Sequence, residues 1–339
     1  MNKLFHSPFR RFTLLELILV CLILAMLASA SVYLATSSAD QAQDDNNRAR
    51  LAQIQMAICG DQSSLSSRNP VVSGFLADMG RLPNSLSELL TAPITPGTAT
   101  ASSWNSTLQS GWRGPYLQIP VGDSAFRDAW SNFGVSDDST NFGWSYPAAA
   151  SIAILNGSGG SLTVTSYGKD GVSGGTGYDA ARSLILGDAA CRVPLSALKV
   201  RVAFDSTFTS YSTSNFASKT SIRLAFITDA NANLTWPSGS ANGITASDWA
   251  SEAVTMPASA PTFLATSITY FNFINAKKLP WGRRNLVFID TARTGSLLKD
   301  KIVPVSTSDS RPIVVPQSPM LVFPRGTPLT NEAIMFTIQ

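Results

Sequence analysis

Between Leu17 and Ala39 the chain carries no charged residue, and Leu17-Ile18-Leu19-Val20-Cys21-Leu22-Ile23-Leu24 is aliphatic almost throughout. At ~1.5 Å per residue, a helix over about 14–36 is long enough to cross a hydrocarbon core of ~30 Å. Beyond Ala39 the pattern becomes mixed. Asp40-Gln41-Ala42-Gln43-Asp44-Asp45 opens a stretch in which Ala49, Leu51, Ala52, Ile54 and Ile58 supply an apolar face, with neither Pro nor Gly before Gly60. The two patterns together predict one helix over residues 12–59, membrane-embedded in its first half and amphipathic in its second. After about Pro194 the period changes. Short alternating or aliphatic segments, at 198–204, 222–227, 263–271, 285–289, 301–305, 313–315, 320–323 and 333–338, are split by polar turns and predict a β-rich region of β-sandwich type.

A length of 339 residues suits about two globular units of the usual ~100 to 200 residues, placed here at 60–194 and 195–339. Charged residues make up 14% of the chain, a low share that suits exposed β-rich structure outside the cytoplasm. The net charge of +3 is accounted for by Lys3, Arg10 and Arg11, so the globular part shows no nucleic-acid footprint. Those three cations precede the apolar run and Asp40, Asp44 and Asp45 follow it, which orients the N-terminus to the cytoplasm and the bulk of the chain to the other side.

The only histidine is His6, so the globular part lacks Ser-His-Asp and Cys-His arrangements and His-containing zinc sites. A hydrolase using carboxylates alone stays open. Of three cysteines, Cys21 lies in the apolar run, leaving Cys59 and Cys191 as the pair able to meet in an oxidising compartment. A disulfide between them would add ~4 to 5 kcal/mol in the chain-entropy model; two small buried thiols are the other reading.

At the head of the apolar run stands Phe12-Thr13-Leu14-Leu15-Glu16, with a carboxylate where the bilayer would penalise it by ~3 kcal/mol or more. This stretch resembles the N-terminal signature of type IV pilins and type II secretion pseudopilins. In that family a basic leader is removed just before a Phe and a Glu stands at the fifth mature position. The resemblance implies a leader at 1–11, cleavage between Arg11 and Phe12 by a prepilin peptidase, and methylation of the new Phe12 amine. It also implies pairing of Glu16 with the α-amine of a neighbouring subunit during assembly, in which opposite charges in low dielectric select one register. Arg11 occupies the place where the family carries Gly or another small residue. Two other readings fit the same segment: a secretory signal peptide cut after Ala30 in Ala28-Ser29-Ala30, and an uncleaved signal anchor with Glu16 hydrated at the interface.

Further along, Leu82-Pro83-Asn84-Ser85-Leu86-Ser87-Glu88-Leu89-Leu90, Gly114-Pro115-Tyr116-Leu117 and Asp128-Ala129-Trp130-Ser131-Asn132 resemble, in order, segments of the major pseudopilin of type II secretion. The Gly-rich stretch from Ser166 to Asp179 resembles that family's calcium loop. The resemblance implies Asp170 and Asp179 as carboxylate ligands and the carbonyls of Tyr167 and Val172 as backbone ligands, for a metal that takes six to eight hard oxygens. A solvated glycine-rich hairpin loop is the alternative.

The implied fold is α+β: a long N-terminal helix packed on a small antiparallel sheet, followed by a β-sandwich-like domain. The implied function is that of a structural filament subunit, not an enzyme, in the inner membrane with a single pass. Its implied partners are like subunits, the peptidase, an inner-membrane assembly platform and membrane lipid. The alternative is a tethered module that binds a glycan or protein and uses the helix only as an anchor. In the C-terminal part, Asp188, Asp205, Asp229 and Asp290 fall at separate strand ends, and Trp236, Trp249 and Trp281 offer either a binding platform or core side chains.

Overall fold

Leu14–Cys59 forms one unbroken helix, α1, in the computed structural model, which describes residues 13–61, 72–133, 137–204, 215–258, 269–306, 308–315, 320–322 and 334–338. At ~1.5 Å per residue α1 is about 70 Å long. Its apolar half stands clear of the body, with every side chain from Leu14 to Thr36 exposed, and it is long and apolar enough to cross a membrane.

The second half of α1 buries Asp44, Asn47, Leu51, Ile54, Ala57, Ile58 and Cys59, a stripe at helical spacing. Ala49 and Ala52, expected on the apolar face, are exposed instead. The stripe begins with polar residues because each has a partner across the seam, described below. The helix stops at Gly60, whose φ of 71° favours glycine and where a Cβ would fall 2.1 Å from the Ser73 carbonyl oxygen and 2.8 Å from the Trp281 ring.

Against this stripe pack α2 (Phe75–Met79), a 3-10 turn at Leu86–Leu89, α3 (Asp138–Asn141), α4 (Ala149–Ser158) and the antiparallel hairpin of β1 (Ser161–Ser166) and β2 (Arg182–Gly187). Strand β1 alternates as its sequence demands, turning Leu162, Val164 and Ser166 inward. Leu51, Ile54, Ile58, Phe75, Leu86, Leu89, Phe126 and Trp144 form one continuous core with them. The 3-10 turn lies within the segment 82–90. Glu88 at its centre accepts hydrogen bonds from the buried Arg81 (2.7 Å) and the Asn84 backbone (3.0 Å).

After α5 (Asp188–Cys191) come β3 (Arg192–Val193), β4 (Lys199–Phe204), β5 (Ile222–Phe226), β6 (Ser240–Ala241), β7 (Ile244–Thr245) and β8 (Thr269–Asn272). The chain ends with β9 (Leu279–Pro280), β10 (Gly282–Arg284), β11 (Leu286–Asp290), β12 (Met320–Val322) and β13 (Ile334–Ile338). These strands form several small sheets. Strand β4 lies between antiparallel β8 and parallel β13, while β5 pairs antiparallel with β11. The β5–β11 pair is buried on both sides. Ile222, Leu224, Phe226, Leu286 and Phe288 face a core shared with Val200, Val202 and Phe271, and Ala225, Ile227, Val287 and Ile289 face a second cluster with Leu234 and Leu298. Two-sided burial explains why β11 reads as a continuous apolar run. The molecule is thus mixed α+β, with one long N-terminal helix and small, largely antiparallel sheets.

The boundary expected at 194/195 is crossed by many contacts. Strand β3 pairs with β9, Trp281 sits in the core beneath α1, and Arg284 donates to the carbonyls of Leu76 (3.1 Å) and Ala77 (2.6 Å) in α2.

Candidate functional site: helix cap, glycine-rich loop and cysteine pair

Glu16, singled out as a carboxylate in need of a partner, finds one within its own chain. Thr13 is the N-cap of α1; its backbone N–H and its hydroxyl donate to Glu16 Oε2 (3.0 and 3.1 Å), and the Glu16 N–H donates to Thr13 Oγ1 (3.2 Å). This is a capping box, and it satisfies two donors that a helix start otherwise leaves free. The Thr-x-x-Glu spacing before an apolar run carries that signal in the sequence. Arg11 and Phe12 lie outside the described residues.

The polar start of the α1 stripe is held by four ties to the body. Asp40 pairs with Lys169 (2.7 Å), Asp44 with Arg182 (3.0 Å), Asn47 donates to Ser166 Oγ (2.9 Å), and Arg50 donates to the Arg127 carbonyl (2.7 Å). Burial would push the Asp44 carboxyl up, but Arg182 and Arg48 outweigh it and hold it below the usual carboxylate value.

Asp128, 1% exposed, is the hub of this seam. Its carboxylate accepts from the Asn132 N–H (2.9 Å), Asn132 Nδ2 (2.7 Å) and Ser166 Oγ (2.6 Å), and Asn132 Nδ2 also donates to the Gly168 carbonyl (2.8 Å). The Asp128-to-Asn132 segment therefore seats the first turn of the glycine-rich loop and, through Ser166, reaches Asn47 on α1. Nothing in the sequence alone linked these three segments except their shared likeness to one family.

Within the loop, Asp170 Oδ1 accepts the Val172 N–H (3.0 Å), and the chain folds back so that Cβ atoms at Gly168 and Gly175 would fall 2.7 and 2.4 Å from the Asp179 carbonyl oxygen. Asp170 and Asp179 are both exposed, and Tyr167 is half-buried. Their oxygens are hard donors of the kind calcium takes, but the two carboxylates cover only part of a shell of six to eight. Among the described residues no three His, Cys, Asp or Glu side chains gather as a metal cluster.

Known proteins give no further guide. No protein-family model, curated protein or solved structure matches this chain.

The remaining sequence candidates separate or meet as follows. Cys59 and Cys191 meet, with their sulfurs 2.7 Å apart and both side chains buried. The tryptophans do not. Trp249 lies in the core of the C-terminal part, Trp281 in the core under α1, and Trp236 packs beneath Arg223, so no shared platform forms. The acids are likewise dispersed: Asp188 pairs with Arg192 and Lys278, Asp290 with Lys219, and Asp229 meets Thr95 and Ser110, while Asp205 lies outside the described residues.

Proposed function

We propose that this chain is a structural subunit of a filament of the type IV pilin or type II pseudopilin kind, assembled through α1 and not itself an enzyme. On this reading the leader 1–11 is removed by a prepilin peptidase, α1 spans the inner membrane before assembly, and the β-rich, sandwich-like part is displayed on the outside. Like subunits and an inner-membrane assembly platform are its partners. The observation that carries the reading is the build of α1: about 35 Å of lipid-compatible helix continues without a break into a half that four polar ties and a core stripe fix to the body. A mere tether needs no such rigid coupling; a subunit that must transmit the register of its helices to its displayed part does.

The capping box favours a second reading, a tethered binding module, because it meets the needs of Glu16 without a neighbour. One pair of variants separates the two. Glu16→Gln preserves a capping-box side chain but removes the charge, whereas Glu16→Ala removes both. If Glu16 pairs with a neighbouring α-amine, both variants abolish recovery of the protein in sheared filaments while leaving its membrane level unchanged. Normal filament recovery with Glu16→Gln would contradict the filament role of the charge.

A further inference from the structure

Three segments distant in sequence meet where α1 ends. Cys59 is its last residue, Cys191 closes α5, and the Trp281 N–H donates to the Cys191 carbonyl (3.0 Å) while β3 and β9 pair alongside. The sulfurs of Cys59 and Cys191 stand 2.7 Å apart, closer than two unbonded sulfur atoms pack, with the side chains 0% and 4% exposed. The remaining cysteine, Cys21, lies in the exposed apolar half of α1 and does not compete for either partner.

We propose that the mature protein carries a Cys59–Cys191 disulfide that joins the end of the membrane helix directly to the root of the β-rich part. The bond spans a sequence separation of 132 residues, so tension on α1 reaches β3 and β9 without passing through the intervening chain. Formation needs a disulfide oxidant, either a thiol-oxidising protein or a small-molecule disulfide. The Cys191 thiolate attacks one oxidant sulfur and expels the other as a thiol; Cys59 then attacks Cys191 Sγ in the mixed disulfide and expels the second. Two electrons and two protons leave the cysteines, and the oxidant's disulfide becomes two thiols. Because both sulfurs are buried in the finished fold, oxidation precedes closure of the seam and the bond is afterwards shielded from reductants. Exposure to an oxidant in the cell rests on the proposed placement of the body outside the cytoplasm.

The test uses the full-length protein from its native membrane, denatured with and without reductant in the presence of iodoacetamide and digested for mass spectrometry. The expected result is alkylation of Cys21 alone without reductant, all three cysteines labelled after reduction, and a linked peptide pair lighter by two hydrogens than the sum of its parts. A second arm refolds the reduced protein in detergent with oxidised glutathione. Free Cys59 and Cys191 in both arms would overturn the pairing. Free thiols in the cell with a linked pair after glutathione would overturn the cellular disulfide and, separately, the extracytoplasmic placement. Persistence of the linked pair on trapping with acid before lysis excludes oxidation during work-up and supports the proposal.

Discussion

Tyr116 and Tyr146 show how much a half-buried tyrosine hydroxyl controls. Tyr116 donates to Asp78 (2.8 Å), which Arg113 also grips, and Tyr146 donates to the Pro83 carbonyl (2.7 Å). Burial, with Asp78 beside the first and Glu88 near the second, pushes both phenols well above their ordinary value. An acid whose pKa is raised by folding keeps its proton in the native state when the unfolded chain has lost it, so stability is intact below the unfolded pKa of about 10 and falls as pH climbs past it. Of seven tyrosines, these two should stay protonated in an absorbance titration until the fold is lost, and Tyr146→Phe should flatten the alkaline fall in denaturant midpoint. Ordinary titration of all seven in folded protein would contradict this burial. Neither shift was legible in the sequence, because it comes from burial in the folded chain, to which Asp78 and Glu88 add from other segments.

At the scale of elements, α1 was nearly all legible: a span of 12–59 was expected and Leu14–Cys59 is helical. Periodicity misassigned Ala49 and Ala52 because apolar residues were assumed to define the buried face, whereas Asp44 and Asn47 occupy it with partners more than a hundred residues away. The segments at 301–305 and 313–315 were expected as strands and appear as isolated bridges beside β11. Pro304 and Pro312, which face each other there, lack the N–H that a regular ladder requires. The glycine-rich loop follows β1, and its seating by Asp128 and Asn132 could not be read from spacing. The family resemblance implies calcium as the loop's ligand, with Asp170, Asp179 and the carbonyls of Tyr167 and Val172 as its donors. Added calcium should raise the thermal midpoint of the wild-type protein, and Asp179→Asn should lose most of that rise; equal midpoints with calcium and with chelator would remove calcium from the account.

For the whole molecule, the sequence suggested two units in succession, and the structure interlocks them. Arg284 is completely buried, and its five hydrogen bonds all run to backbone carbonyls, two of them in α2. Burial pushes its pKa down to about 10. Replacing it with Met would take the Arg284 donor from the Ala77 carbonyl and leave the Leu76 carbonyl only the Gly80 N–H, at a cost of about 2 kcal/mol, and would loosen both parts together in one urea transition. Two separate transitions, with only the later residues affected, would mean that the seam is not integral. No sequence pattern announced this residue, and only the meeting of β10 with α2 gives it a role.

The account as a whole rests on the N-terminus acting as a processed assembly helix. Its most direct test is the mass of the N-terminal peptide of the protein isolated from its native membrane. The predicted peptide begins at a methylated Phe12, cut after Arg11; a peptide beginning at Met1 or Asn2, or one beginning at Ser31, would contradict the filament-subunit reading.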